Sequence, residues 1–413
     1  MSSLQPVRGT HDLMGEDARR HRHIVETFRE VAELYAFREI ATPIFEFTDV
    51  FERTLGDTSD VVTKEMYTFV DRGGEQLTLR PEMTAGVARA FISNGLAQDL
   101  PIKFFGHGPM FRYERPQKGR MRQFHQIDAE ILGVPEPQAD IEVIALAHHV
   151  LSALGLGDKI TLELNSLGDV ESRLAYRARL IDYFSAHRAA LSEDSRMRLE
   201  RNPLRILDSK AAEDRPIVEA APAIAESFNA ASREFFDAVR RGLDALGIGY
   251  AVNPRLVRGL DYYSHTAFEF TTTHIGAQGT VLGGGRYDGL IETMGGPATA
   301  GIGWAAGIER LALMVTPPPE SRDLIAVVPV GDDPAVQAAA LALANRLRRA
   351  GHAVDQGYRG NVGKRMKRAD KLGASRALIL GESELAAGIV QLRDLATGEQ
   401  RSLPLDAVEA AFA

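Results

Sequence analysis

Residues 108–133 read GPMFRYERPQKGRMRQFHQIDAEILG, two runs of strand-like alternation on either side of RPQKGR, where Pro116 and Gly119 interrupt them. The pattern predicts a long antiparallel hairpin. Successive side chains of a strand point to opposite faces. Arg112 and Glu114 therefore share one face of the first arm, and Phe124, Gln126, Asp128 and Glu130 share one face of the second. Such a face is not ordinary core, because a buried charge without a partner is strongly destabilising. These groups pair with one another, lie in solvent, or receive a charged, hydrogen-bonding ligand.

Toward the amino terminus, 69–71 and 76–80 read as a second hairpin around Gly73 and Gly74, leading into TLRPEMTAGVARAF (78–91). Proline is favoured at a helix start, where its missing N–H would be unpaired anyway. The helix is thus expected at Pro81, with Glu82, Met83 and Thr84 in its first turn. Glu82 and Thr84 suit a helix start through capping and the dipole, or they meet a ligand. Farther out, Ile24, Phe28, Val31, Ala32 and Tyr35 recur at helical spacing over 17–36 and predict an amphipathic helix of about five turns. The segment 37–47, with Pro43, reads as extended.

Toward the carboxyl terminus, 136–154 reads as a helix, 159–169 as a strand, and 170–246 as helical and charged without evident chemistry. Strand character returns over 247–273. There Gly259 introduces a bulge, and Arg258, within a stretch of buried type, needs a carboxylate or phosphate partner. Gly283–Gly285 read as a turn, with close approach to a ligand as the alternative. In AGIGWAAGIERLALMV (300–315) a strand of small residues runs into a helix. Arg310 sits early on that helix, where a cation opposes the dipole unless it faces an anion. TPPPE (316–320) is a stiff linker marking a domain boundary. Beyond it, strands at 323–331, 352–358, 376–382 and 388–394 alternate with helices at 334–350, 362–372 and 405–412, the pattern of a small α/β domain.

The 413 residues are 45% hydrophobic, carry a net charge of −8 and contain no cysteine. Disulfides and thiolate chemistry are excluded, in keeping with a reducing compartment. No apolar run reaches the roughly 18 residues of a membrane span, and the first residues lack a basic segment followed by an apolar one, so a cytoplasmic location is expected. The acidic balance argues against non-specific nucleic-acid binding. One local patch departs from it: residues 346–371 hold nine Lys/Arg against Asp355 and Asp370. That patch is a solvated helix face or a nucleic-acid contact.

FRYERPQKGRMRQFHQ (111–126), LVRGLDYYSHTAFEF (256–270), GGGRYDGL (283–290) and the G-x-G-x-x-x-G-x-E-R of 301–310 together resemble the histidyl-tRNA synthetases, a family of class II aminoacyl-tRNA synthetases. The resemblance spans nearly the whole chain. It implies an α+β fold: an antiparallel-sheet catalytic domain over 1–317, with a helical insertion at about 170–246, and a small α/β anticodon-binding domain over 322–413. The implied substrates are L-histidine, ATP with its Mg²⁺, and tRNA(His). A homodimer built on 17–47 is also implied. By the resemblance, Arg112 holds the ATP α-phosphate with Glu114 nearby, Arg310 meets the γ-phosphate, and Arg258 stabilises charge at the reacting phosphate. Glu82, Met83, Thr84, Gln126, Glu130, Tyr262, Tyr263 and Tyr287 form the histidine site. Gln117 and Arg120 in the hairpin loop, and Lys364, Arg365, Lys367 and Arg368 in the tail, face tRNA; no metal ligands come from the protein. The alternative is a non-catalytic paralogue that regulates histidine biosynthesis. Such paralogues lack the tail and lose catalytic arginines, whereas Arg112, Arg258, Arg310 and a tail are present here.

Overall fold

The hairpin forms between strands Ile102–Phe111 and Gln123–Leu132, each 10 residues long and paired in unbroken register from Ile102 opposite Leu132 to Phe111 opposite Gln123. The computed structural model describes residues 4–55, 61–207, 209–256, 262–276, 279–319 and 323–412. The chain divides into two units, Met1–Pro317 and Pro318–Ala413. In the first unit the hairpin lies within an eight-stranded sheet, in the order Arg38–Glu39, Ile102–Phe111, Gln123–Leu132, Gly301–Gly307, Thr280–Arg286, Ser264–Thr271, Thr161–Ser166 and Ala251–Val252. The six central strands are antiparallel, and only the two short edge strands pair in parallel.

Period-two alternation sorts the sheet into two faces. Ile127, Ala129 and Ile131 join Ile302, Trp304 and Ala306 in a core covered by helices Gly15–Leu34, Gln138–Ala153 and Ala230–Ala245. The first helix buries Ile24, Phe28, Val31 and Ala32, the i, i+4, i+7, i+8 stripe read from the sequence. Phe28 packs edge-on against Phe105 and beside Trp304. The indole N–H donates to the Val143 carbonyl at 3.0 Å, so the one polar atom of Trp304 is satisfied inside the core.

Several local expectations differ from the structure. The segment 37–47 holds two separate strands: Arg38–Glu39 joins the large sheet, and Phe45–Phe47 joins Gln76–Leu79 and Tyr67–Val70 in a three-stranded one. The next helix is Thr84–Ser93, beginning three residues after Pro81. Gly283–Gly285 lie inside the strand Thr280–Arg286, not in a turn. A Cβ on Gly285 would stand 2.6 Å from the Thr266 carbonyl oxygen and 2.8 Å from the Tyr263 ring, so close packing, not turn geometry, calls for glycine. Within 170–246, Tyr176, Leu180, Phe184, Ile206, Ile217 and Phe228 form a separate helical core, while Val239 and Leu243 of Ala230–Ala245 belong to the core beneath the sheet.

The second unit is a five-stranded sheet ordered Ala353–Gln356, Leu324–Pro329, Arg376–Leu380, Ile389–Asp394 and Gln400–Pro404, the first three parallel and the last two antiparallel. Helix Pro334–Arg349 packs Val336, Ala340, Leu343 and Leu347 onto one face. Asp333 caps that helix by accepting from the Ala335 and Val336 N–H groups. Helix Val362–Lys371 packs Ala369 with Ala326 and Val328 in a second cluster. The strand Gln400–Pro404 and the short helix Glu382–Ala386 were not expected, and the helix expected at 405–412 is a single 3₁₀ turn, Val408–Ala411.

Candidate active site

The sheet face turned away from the helices carries Phe124, Gln126, Asp128 and Glu130. The neighbouring strand sets Gly307, Ala305 and Gly303 opposite the last three. With almost no side chain on that strand, a cavity of about 210 Å³ opens above it. Its lining includes Glu82, Thr84, Arg112, Glu114, Arg120, Gln126, Tyr262, Tyr263, Tyr287 and Arg310. A Cβ on Gly303 would collide with the Glu130 carboxylate, so glycine makes room for that group.

Hydrogen bonds fix the inner wall. The Thr84 hydroxyl donates to Glu130 Oε1 at 2.6 Å, and the Tyr287 hydroxyl donates to Glu130 Oε2. Glu82 accepts from the Ala85 N–H at 2.8 Å, which stabilises the helix start, and its other oxygen accepts from the Tyr262 hydroxyl at 3.1 Å. The helix-start reading of Glu82 is thus the one its bond to Ala85 bears out. Burial pushes these acids up: Glu130, 2% exposed, to about 8 against its bonds from Thr84 and Tyr287, and Glu82 upward against the Ala85 N–H and the Arg112 guanidinium. Asp128, 1% exposed, rises well above the carboxylate range through burial and then the neighbouring Glu130 and Glu82 carboxyls.

Toward the hairpin loop the cavity turns basic. Arg112 Nε donates to the Pro81 carbonyl at 2.9 Å, and its guanidinium lies over the Phe124 ring, 5.4 Å from the centroid. Arg310 Nη1 donates to the Thr280 carbonyl. Burial and the nearby Arg120 cation lower the pKa of Arg310, while Glu114 and Glu269 oppose that shift. Arg120 pairs with Glu114 at 2.9 Å. Glu309, not among the expected site residues, accepts from the His125 N–H at 2.9 Å and bonds the His125 ring at 2.8 Å. It ties the hairpin to the turn bearing Arg310; its place beside Arg310 in the sequence was the available signal.

A family model described as histidyl-tRNA synthetase matches residues 9–311, and an anticodon binding domain model matches 324–413. Histidine--tRNA ligase of Rhodospirillum rubrum is 61% identical over 410 residues, covering 99% of this chain and 98% of the relative. The chain belongs to the histidyl-tRNA synthetase family. The Gluconobacter oxydans histidine--tRNA ligase is 60% identical, with 98% of this chain and 97% of the relative covered. The crystal structure of apo S. aureus histidyl-tRNA synthetase superposes with a TM-score of 0.84 at 36% identity, covering 99% of this chain and 100% of that one. A Bacillus halodurans structure described as an ATP phosphoribosyltransferase regulatory subunit/histidyl-tRNA synthetase reaches 0.67 at 20% identity, over 92% of this chain and 99% of that one, and shows the shared fold alone.

Two residues singled out on the family resemblance stand elsewhere. Met83 does not line the cavity; it is 1% exposed and packs with Phe91, Met110 and Tyr287 in the core behind it. Arg365 is 4% exposed, and its Nη1 donates to the Pro329 carbonyl, so it anchors the basic helix to the tail sheet and does not face solvent. Lys364, Lys367 and Arg368 are exposed, with Arg368 paired to Asp355 at 2.9 Å. Gln117 is exposed at the hairpin tip, bridged through its backbone to Arg120. Arg258 lies outside the described residues.

Proposed function

We propose that the chain ligates L-histidine to tRNA(His) in two steps. The histidine carboxylate attacks the α-phosphorus of ATP, forming histidyl-adenylate and releasing pyrophosphate; a terminal ribose hydroxyl of tRNA then takes the histidyl group and AMP leaves. One observation carries this: two arginines, Arg112 and Arg310, and a set of hydrogen-bonding groups, Glu82, Thr84, Gln126 and Tyr287, line a single cavity, with the buried Glu130 holding Thr84 and Tyr287 from behind. Nucleotidyl transfer needs positioning and charge neutralisation more than covalent help. In this reading Arg112 binds the α-phosphate beside Glu114, Arg310 the γ-phosphate, and Arg258, by the family resemblance alone, the charge developing during attack.

Glu130 and Tyr287 suit the imidazole, a ring with one donor and one acceptor when neutral, with Tyr263 as a wall. Glu82, Thr84, Tyr262 and Gln126 suit the substrate's amino end. Among the described residues no group of three metal-ligating side chains occurs, and Mg²⁺ fits here as part of the nucleotide substrate, offsetting phosphate charge. The unit up to Pro317 is the catalytic domain in this reading, and 322–413 reads the anticodon through Lys364, Lys367 and Arg368, with Gln117 and Arg120 near the acceptor end. Exposed Ile44, Phe45, Phe47, Phe69 and Val70 in and beside the three-stranded sheet support a homodimer contact there. No helix among the described residues is long and apolar enough to cross a membrane, and the tRNA substrate points to the cytoplasm.

Pyrophosphate exchange with each of the twenty amino acids tests substrate and reaction together. Exchange is expected with histidine and Mg·ATP only. Strong exchange with another amino acid, or with none, overturns the proposal.

A further inference from the structure

The strand Ser264–Thr271 is irregular at the end nearest the cavity. Its pairing with Thr280–Arg286 steps from Gly285 opposite Ala267 to Arg286 opposite Ser264, so His265 and Thr266 are left in a bulge. The backbone of His265 is held from the other side instead. Its N–H donates to the Gly168 carbonyl at 2.9 Å, and its carbonyl accepts from the Leu167 N–H at 2.6 Å.

Three features of His265 depart from local preference. Its φ is +42°, and among the described residues only Ala36 shares a positive φ without being glycine; that region crowds a side chain with a Cβ. Its Nδ1 is buried with no hydrogen-bond partner among the described residues, which folded proteins rarely tolerate. Its ring has also changed face. Phe268 and Phe270 enter the core beneath the helices, whereas Glu269 accepts from the Thr280 hydroxyl at 2.7 Å on the other side, so alternation assigns His265 to the side of Glu269. The ring instead stacks on Phe235 of the helix Ala230–Ala245, with centroids 4.4 Å apart and planes at 25°.

Departures of this kind persist where the surroundings hold them and a site needs them. Two residues before His265, Tyr263 lines the cavity, where a Cβ on Gly285 would stand 2.8 Å from its ring. Tyr262 lies beside it, ring centroids 4.6 Å apart, and donates to Glu82 at 3.1 Å. His265 itself is not part of the cavity lining. Resting on the activity proposed above, we infer that His265 is a positioning residue for the amino-acid substrate: its stack on Phe235 fixes the bulge from which Tyr262 and Tyr263 enter the cavity. Arg112 and Arg310 at the nucleotide end are carried by other elements, the hairpin and the helix Ile308–Ala312, so the effect is confined to the amino acid.

The test is pyrophosphate exchange by the full chain with histidine and ATP varied in turn. His265→Gly admits the left-handed backbone and removes the ring. It is expected to raise KM for histidine about fivefold or more and to leave KM for ATP within about twofold. His265→Phe keeps a ring on Phe235 and is expected to hold KM for histidine within about twofold of the parent. Phe235→Leu removes the stack from the other side and should raise KM for histidine as His265→Gly does, with the double variant no worse than either single one. Thermal melting verifies that each variant is folded, and if His265→Gly is not, Phe235→Leu carries the same expectation. A parental KM for histidine in the variants that lose the stack, an equal rise in both KM values, or a His265→Phe variant as impaired as His265→Gly overturns the assignment. Failure of the parent chain itself to support histidine-dependent exchange is a separate result, which removes the proposed function.

Discussion

Glu130→Gln gives the inner wall of the cavity a quantitative test. The Glu130 carboxyl titrates at about 8 in the folded chain against 4.5 for an ordinary glutamate, a difference of about 3.5 units. At 1.36 kcal/mol per unit this corresponds to about 5 kcal/mol. That is an upper bound, since the nearby Asp128 and Glu82 carboxyls, also raised by burial, are coupled to it and share the effect. The folded-state pKa is raised, so the folded chain binds the extra proton between those values. Stability is therefore full below pH 4.5 and falls as pH rises to about 8. Glutamine has no such proton. It keeps one of the two acceptors that meet Thr84 and Tyr287 and costs about 1 kcal/mol for the other. The variant should be slightly less stable than the parent at pH 5 and more stable by a few kcal/mol at pH 8.5. Trp304 is the chain's one tryptophan and is buried under the sheet. Urea unfolding followed by its fluorescence, without ligands, thus reports the first unit alone. Identical pH slopes for parent and variant would refute the account of Glu130.

Arg258→Ala should remove about 3 to 5 kcal/mol of transition-state stabilisation from adenylate formation in single-turnover assays and affect transfer from preformed adenylate far less; equal losses in both steps contradict its assigned role. Reversing Lys364, Lys367 and Arg368 to Glu should weaken tRNA binding and reduce its dependence on salt, measured by filter binding across salt concentrations, and an unchanged affinity returns that helix face to solvent. Arg365→Ala, by contrast, should lower the melting temperature of the isolated tail unit, because it removes the bond to the Pro329 carbonyl. Asp214 accepts from the Ser192 N–H and the hydroxyls of Ser192, Ser195 and Ser209, bonds that outweigh its burial and lower its pKa to about 2. Its contribution, about 2 kcal/mol, is present above pH 3.8 and lost as pH falls toward 2, so Asp214→Ala should speed limited proteolysis within 170–228 at neutral pH.

What the sequence made legible follows the strength of local signals. Alternation across residues 108–133 and the apolar spacing in 17–36 each encode a whole element, and both formed within a few residues of expectation. Gly283–Gly285 misled because three glycines carry no local instruction for a strand; only the backbone of Ser264–Thr271 and Gly301–Gly307 on either side requires them. The strand Gln400–Pro404 is a largely exposed edge with no apolar alternation to reveal it. Arg365 was legible in principle: Val362, Arg365, Met366 and Ala369 form the i, i+3, i+4, i+7 face that packs on the tail sheet, and charge composition obscured that spacing. In the site, hairpin parity grouped Gln126, Asp128 and Glu130 correctly, but the roles of Thr84, Tyr262 and Tyr287 depend on contacts between residues 46 to 180 positions apart.

The two faces of the central strand constrain each other. Ile127, Ala129 and Ile131 are fixed against the helices by the core they share with Phe28, Val143 and Trp304. A slip of one residue would drive Gln126, Asp128 and Glu130 into that core and expose the isoleucines. Full burial of each large apolar side chain contributes about 1.5 to 3 kcal/mol, and burying the carboxyls there instead would cost far more. The register, and with it the placement of the cavity's acids, is therefore held by packing on the side of the sheet that touches no substrate. Because the core fixes their positions, the buried acids can remain without full pairing in the free chain: relief through rearrangement would require unpacking the helices.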